Sequence, residues 1–384
     1  MKRKVCVVTG SRADYGHLRP LIKAIAREKN FTLQLVATGM HLSKDFGMTY
    51  REIEKDGFKI TQKVAVDLKI DTPAGISHSM SVGIEKFAKV YQAIRPDLVV
   101  VLGDRFEILS AVIPAYIARI PIAHLHGGEV TEGAFDEGLR HSMTKMSHWH
   151  FVATKQYAKR VIQLGEEPNR VFNVGAIGLD NLKSLKLLSS QSLEKILGFR
   201  FLERNLLVTF HPVTLEENTA SAQMNNLLSA LGELKNTLLI FTKSNADTGG
   251  RVINAMIDNF VKKHPQTSRA FVSMGQLKYW STMCYVDGVV GNSSSGLLEA
   301  PSFKVGTVNI GDRQRGRVKA DSVIDCLPSK KAIQSAIAKL YSPNFQKKLR
   351  NVKNPYGSGS SAPKIIKVLK RKQLVDIKKC FYDV

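Results

Sequence analysis

The sequence predicts an α/β chain of two doubly wound domains, each a parallel sheet covered by helices on both faces. Three observations carry this. Strand-sized apolar runs recur, and most lack the polar alternation of a sheet with one wet face. Each run leads into a loop and then a helical pattern, the strand–loop–helix rhythm of parallel sheets. The rhythm stops over Leu182–Phe201, a Ser- and Leu-rich helical stretch, and then resumes.

In the first half the predicted strands are Lys4–Thr9, Leu33–Thr38, Leu98–Leu102 and Pro121–Leu125. Helices are expected at about His17–Glu28, Thr49–Asp56 and Phe106–Ala118, and in a helix ending at Ile94 after a polar loop, Thr72–Gly83. In the second half the strands are Asn205–Phe210, Thr237–Thr242, Ala270–Ser273, Gly288–Val290 and Val305–Ile310. The boundaries expected are 1–180 for the first domain and 190–355 for the second, with a linker near Leu179–Ser189. The remainder, 360–384, carries a last helix from about Ala362 to Leu374 that crosses back to the first domain. In such sheets ligands meet the carboxyl ends of strands, so an interdomain cleft is expected, with nucleotide on the second domain and chemistry on the first.

At 384 residues and 43% apolar content the chain suits two soluble domains with sizeable cores. Its apolar runs fall far short of the roughly 20 residues that span a bilayer, and Val5–Val8 is too short for a signal-peptide core. Cys6, Cys284, Cys326 and Cys380 show neither metal nor disulfide spacing and read as reduced thiols of a cytoplasmic protein. The net charge of +23 favours anionic partners. Much of the surplus lies in the tail, without an aromatic platform or a nucleic-acid-binding motif, and reads as a solvated basic helix.

The stretch 289–317 presents Gly291, Asn292, Ser293, Ser294, Ser295 and Gly296 between a strand and a helix start. Free backbone N–H groups, serine hydroxyls and a helix dipole suit a phosphate there; the plain alternative is a serine N-cap. Glu299 is expected in the first helical turn, facing a ribose diol, and Arg313 follows the next strand.

In the first half, Asp104 and Arg105 follow a buried strand directly, Glu129 follows His126-Gly127-Gly128, and Asp136 and Glu137 come seven and eight residues later. Several carboxylates round one cleft suit proton abstraction and leaving-group protonation, since repulsion and burial spread their pKa values. Asp104 reads equally as a structural ion pair or helix cap. His211, at a strand end before Pro212, reads as functional or structural, and His124 as core. His124 and His126 alternate along a strand without an evident third ligand, so no metal is assigned. Gly10-Ser11-Arg12 lacks the GxGxxG fingerprint of NAD sites.

Taken together, VTGSRADYG, ATGMHLSKDFG, VVLGDRFEIL, HLHGGEVTEGAFDEGLRH, TFHPVT, KSNADTG, GNSSSGLLEAPSFK and NIGDRQRGR resemble the hydrolysing UDP-N-acetylglucosamine 2-epimerases of bacterial sialic-acid synthesis and their relatives acting on UDP-N,N'-diacetylbacillosamine in legionaminic-acid synthesis. The resemblance runs to about residue 330. It implies a glycosyltransferase-B-like pair of Rossmann-like domains and a reaction needing neither NAD nor metal. In that reaction, anti elimination of UDP gives a 2-acetamidoglycal, and water then adds across its double bond. Arg12, Asn245, Ser293, Ser294, Glu299 and Arg313 match the family's nucleotide-binding positions. Asp104, Glu129, Asp136 and His211 are the catalytic candidates, with Arg105 and His41 near the sugar. Related enzymes carry a glutamate where this chain has His126, so either His126 or Glu129 does that glutamate's work. The substrate is UDP-N-acetylglucosamine or UDP-N,N'-diacetylbacillosamine. A homo-oligomer, dimer or tetramer, is expected. The competing readings are a glycosyltransferase of the same fold and a non-catalytic nucleotide-sugar sensor.

Overall fold

The computed structural model describes residues 2–68, 72–132, 134–183, 185–213, 219–244, 249–370 and 376–384. Its strands are β1 (Arg3–Thr9), β2 (Phe31–Thr38), β3 (Gln62–Val64), β4 (Leu98–Leu102), β5 (Ile122–Leu125), β6 (Trp149–Val152), β7 (Val171–Asn173), β8 (Arg204–Thr209), β9 (Thr237–Thr242), β10 (Ser268–Phe271), β11 (Gly288–Gly291), β12 (Gly306–Ile310) and β13 (Val323–Cys326). They form two all-parallel sheets, ordered β3-β2-β1-β4-β5-β6-β7 and β10-β9-β8-β11-β12-β13. Both orders reverse after the sheet's first strand. The carboxyl ends of β1 and β4, and of β8 and β11, are therefore the topological switch points where open α/β sheets bind ligands.

Two compact units contain these sheets: residues 1–129, 136–184 and 356–384 in one, residues 130–135 and 185–355 in the other. In the first unit, alternate residues of β1 feed two cores. Val5 and Val7 enter the cluster shared with helix Arg12–Arg27 and helix Ser361–Leu369, while Cys6 and Val8 enter the cluster under helices Pro73–Ile94 and Phe106–Ile117. The second sheet does the same, with Leu206 and Val208 on one face and Leu207 on the other. Fully burying such side chains stabilises by about 1.5–3 kcal/mol each, which explains the uninterrupted apolar strands.

Helix Ser361–Leu369 takes its place through Asp180, whose two carboxylate oxygens accept the N–H groups of Ser361 and Ala362 at 2.7 and 2.6 Å. Tyr356 adds a 2.8 Å hydroxyl–hydroxyl bond to Tyr157.

Several elements differ from expectation. Residues 73–83 are not a loop but the first half of helix Pro73–Ile94, capped by Thr72, whose hydroxyl accepts from the Gly75 N–H at 3.2 Å. Gly83 serves packing: a Cβ there would lie 2.8 Å from Ser110 Cβ. The first helix starts at Arg12 rather than His17, because Ser11 caps it through the Asp14 N–H. The short strands β3, β6, β7 and β13 were not anticipated; each is only three or four residues long, too brief for a periodic signal.

Candidate functional site

In the first unit, the predicted residues follow the carboxyl ends of β1, β2, β4 and β5. Arg12 opens its helix and pairs with Glu52 at 2.9 Å. His41 is fully buried, with its Nε2 3.0 Å from Thr9 Oγ1 and its Nδ1 2.8 Å from Thr49 Oγ1. Burial pushes its pKa down to about 4, so the ring is neutral and ties β1 to the turn after β2. Arg105 donates to Glu107 at 2.7 Å. Glu107 is itself buried, and any side chain at Gly10 or Gly39 would collide with it. Asp14, also buried, has its pKa pushed up to about 6, by burial first and by Glu107 in addition, against the pull of Arg105.

Arg140 joins the carboxylate cluster. Its guanidinium is 1% exposed and pairs with Asp104, with Glu137 at 2.7 Å, and with the Glu129 carbonyl at 2.9 Å. One planar fork thus fixes two side chains and one backbone turn. Asp136 opens the same helix, Asp136–Met146. The only signal for Arg140 in the sequence was its i, i+3 spacing from Glu137.

The turn 126–129 is shaped by its glycines. His126 has φ of +65° and Gly128 of +73°; a Cβ at Gly128 would lie 2.4 Å from the Tyr157 carbonyl. The chain doubles back, and His126 Nδ1 meets Glu129 Oε1 at 2.7 Å. The His17 ring stacks beside His126, centroids 6.4 Å apart. His124 is core, its ring nitrogens near the Gly103 carbonyl (2.7 Å) and Thr144 Oγ1 (3.2 Å). Among the described residues no three His, Cys, Asp or Glu side chains converge as a metal-binding group.

In the second unit, Gly291 has φ of +135°, and a Cβ there would lie 1.9 Å from the Thr209 carbonyl. Buried Asn292 follows and locks the ends of β8 and β11 together: its Oδ1 accepts the His211 N–H at 2.7 Å and its Nδ2 donates to the His211 carbonyl at 2.8 Å. The His211 ring meets Ser244 Oγ at 3.1 Å. Gln314 and Arg313 both donate to the Asn292 carbonyl, at 2.8 and 3.4 Å. Ser293 and Ser294 lie half-buried in the loop, and Ser293 Oγ accepts from the Ser295 N–H at 3.4 Å. Asn245 lies outside the described residues.

Two details of this loop differ from expectation. The helix after it is a single turn, Ser295–Leu298, and Glu299 ends it rather than lying in its first turn. Ala300 and Pro301 continue as a 3-10 turn because proline cannot supply the next helical N–H. A four-residue helix has little dipole, so an anion here would depend on hydroxyls and Arg313. Glu299 is buried and accepts from Trp280 Nε1 at 2.9 Å; burial raises its pKa. Trp280, Asn292 and Gln314 carried no sequence signal for these roles, since each acts through a partner distant in the chain.

The sequence profile of the UDP-N-acetylglucosamine 2-epimerase family matches residues 23–370. The chain is 44% identical over 324 residues, 84% of each sequence, to a hydrolysing GDP/UDP-N,N'-diacetylbacillosamine 2-epimerase of Campylobacter jejuni. It is 42% identical to polysialic acid biosynthesis protein P7 of Escherichia coli, covering 100% of this chain and 98% of that one. The fold is similar to that of the Neisseria meningitidis UDP-N-acetylglucosamine 2-epimerase crystallised with UDP-N-acetylglucosamine, with a TM-score of 0.78 at 18% identity over 95% of this chain and 99% of that one.

Proposed function

Because the chain belongs to the UDP-N-acetylglucosamine 2-epimerase family, we propose that it is a hydrolysing 2-epimerase of a UDP-linked 2-acetamido sugar. It releases UDP and the free 2-epimer. The observation that carries this reading is the cluster at the ends of β4 and β5, where Asp104, Glu129 and His126 are held by Arg140 and a glycine-shaped turn. Removing a weakly acidic sugar C–H calls for a positioned base, and expelling UDP calls for an acid or a charge sink; this cluster supplies both kinds of group. Asp104, Glu129, Asp136 and His211 form the catalytic set. The nucleotide-binding set is Arg12, Asn245, Ser293, Ser294, Glu299 and Arg313.

Of the two sugars, UDP-N,N'-diacetylbacillosamine is favoured by the 44% identical relative that bears its name. The test is proton NMR of each nucleotide sugar with the protein in deuterated water. UDP release with deuterium at C2 of a manno-configured free sugar is expected, faster for the diacetamido sugar. Retention of both nucleotide sugars intact would refute the reading. A dimer or tetramer is part of the proposal, in keeping with exposed Tyr116 and Ile117; a monomer mass by light scattering would remove that part.

A further inference from the structure

The turn 126–129 holds a histidine and a carboxylate in a defined relation. A carboxylate only accepts, so the 2.7 Å contact between His126 Nδ1 and Glu129 Oε1 places the ring proton on Nδ1. In the neutral ring the lone pair is then on Nε2. That nitrogen is buried and has no hydrogen-bond partner among the described residues. Buried polar atoms are nearly always hydrogen-bonded, so an unsatisfied one calls for an explanation, and a catalytic role is one.

The surroundings suit a ring that becomes charged during reaction. His17, on the helix Arg12–Arg27, stacks beside it, and burial pushes the His17 pKa down to about 4. His124, on β5, is likewise pushed down to about 4 by burial. Both neighbouring imidazoles are therefore neutral at neutral pH. Glu129 faces the ring as counter-charge, and Arg140 fixes the Glu129 backbone.

We propose that His126 is the catalytic base that takes the C2 proton of the sugar on Nε2, and that Glu129 is a positioning residue that fixes its tautomer and stabilises the imidazolium. This rests on the hydrolysing-epimerase reading and reassigns Glu129 within it. In the elimination, Nε2 bonds the C2 proton and the C2–H electron pair becomes the C1=C2 bond. The C1–O bond breaks, its pair leaving on the phosphate oxygen of UDP. The imidazolium then loses its proton to solvent. In the hydration, the C1=C2 electron pair takes a solvent-derived proton at C2 from the opposite face, which inverts that centre, while water oxygen bonds to C1 and gives up one proton to solvent.

The test uses the positive φ at residue 126, which glycine adopts without strain. UDP release from the nucleotide sugar that the parent turns over is measured for His126→Gln, His126→Gly, Glu129→Gln and the His126→Gly/Glu129→Gln double variant. Each is first checked for folding by circular dichroism. His126→Gln and His126→Gly should be slower by on the order of a thousandfold. Added imidazole, filling the space left by the ring, should restore His126→Gly by on the order of tenfold or more, and should not restore the double variant. A His126→Gln rate within about tenfold of the parent, or a folded His126→Gly that imidazole does not rescue, overturns the assignment. If the parent itself releases no UDP from either sugar, the epimerase reading fails; if the parent turns over and His126→Gln keeps pace, only the assignment to His126 fails.

Discussion

Arg140→Met removes a buried cation while keeping a side chain of similar length. Arg140 is 1% exposed, whereas Asp104 and Glu137 retain 23% and 26% of their side-chain exposure. Each charge-assisted bond is worth about 1.5–3 kcal/mol, and the arginine makes such bonds to Asp104, to Glu137 and to the Glu129 carbonyl. Water can re-solvate the two partly exposed carboxylates, so the sum overstates the loss; breaking a buried pair typically costs about 3–5 kcal/mol. We expect the low end of that range, seen as a fall in thermal midpoint of about 4 °C for a chain of 384 residues. Turnover should fall by at least about a hundredfold, since Asp104 and the 126–129 turn lose their common anchor. Asp104→Asn provides the control. It leaves Arg140 paired to Glu137 and the Glu129 carbonyl, and should cost less stability. Urea denaturation of the two single variants and the double variant should give a coupling of at least about 1 kcal/mol. A loss below about 1 kcal/mol for Arg140→Met, or a coupling near zero, would show that Arg140 does not organise the cluster.

In the second unit, Ser294→Ala and Arg313→Ala should each weaken UDP binding by about 1.5–3 kcal/mol, roughly ten- to a hundredfold in Kd by titration calorimetry, and unchanged affinity in both would mean that the nucleotide site lies elsewhere. Asp14→Asn should stabilise the protein at neutral pH. The folded state holds the Asp14 proton up to about pH 6 and the unfolded state only to 3.8, so stability falls as pH rises between these values and the penalty is complete above them. A difference of about two units gives an upper bound of about 3 kcal/mol at neutral pH, vanishing below the free value. A variant no more stable than the parent at neutral pH would contradict this.

The sequence by itself determined the fold class and its family. Parallel strands buried on both faces must be apolar at every position, and that signal survives without knowledge of neighbours: β1, β4, β8 and β11 are all legible as runs. Glycines in the 126–129 turn and at position 291 were legible too, because a backbone with positive φ or a carbonyl against its Cα leaves little other choice. What the sequence did not carry is how side chains from separate segments satisfy one another. Residues 73–83 read as a loop from composition, yet are helical because Gly83 lets two helices close on each other at Ser110. The two ring nitrogens of His41 meet Thr9 and Thr49, contacts that no local pattern announces. Arg140 and Asn292 organise their surroundings through partners up to 81 residues away, and Glu299 meets Trp280 rather than opening a helix. Hydrophobic periodicity is a local property of the chain. The satisfaction of buried charges and hydrogen bonds is not, and only the tertiary structure decides it.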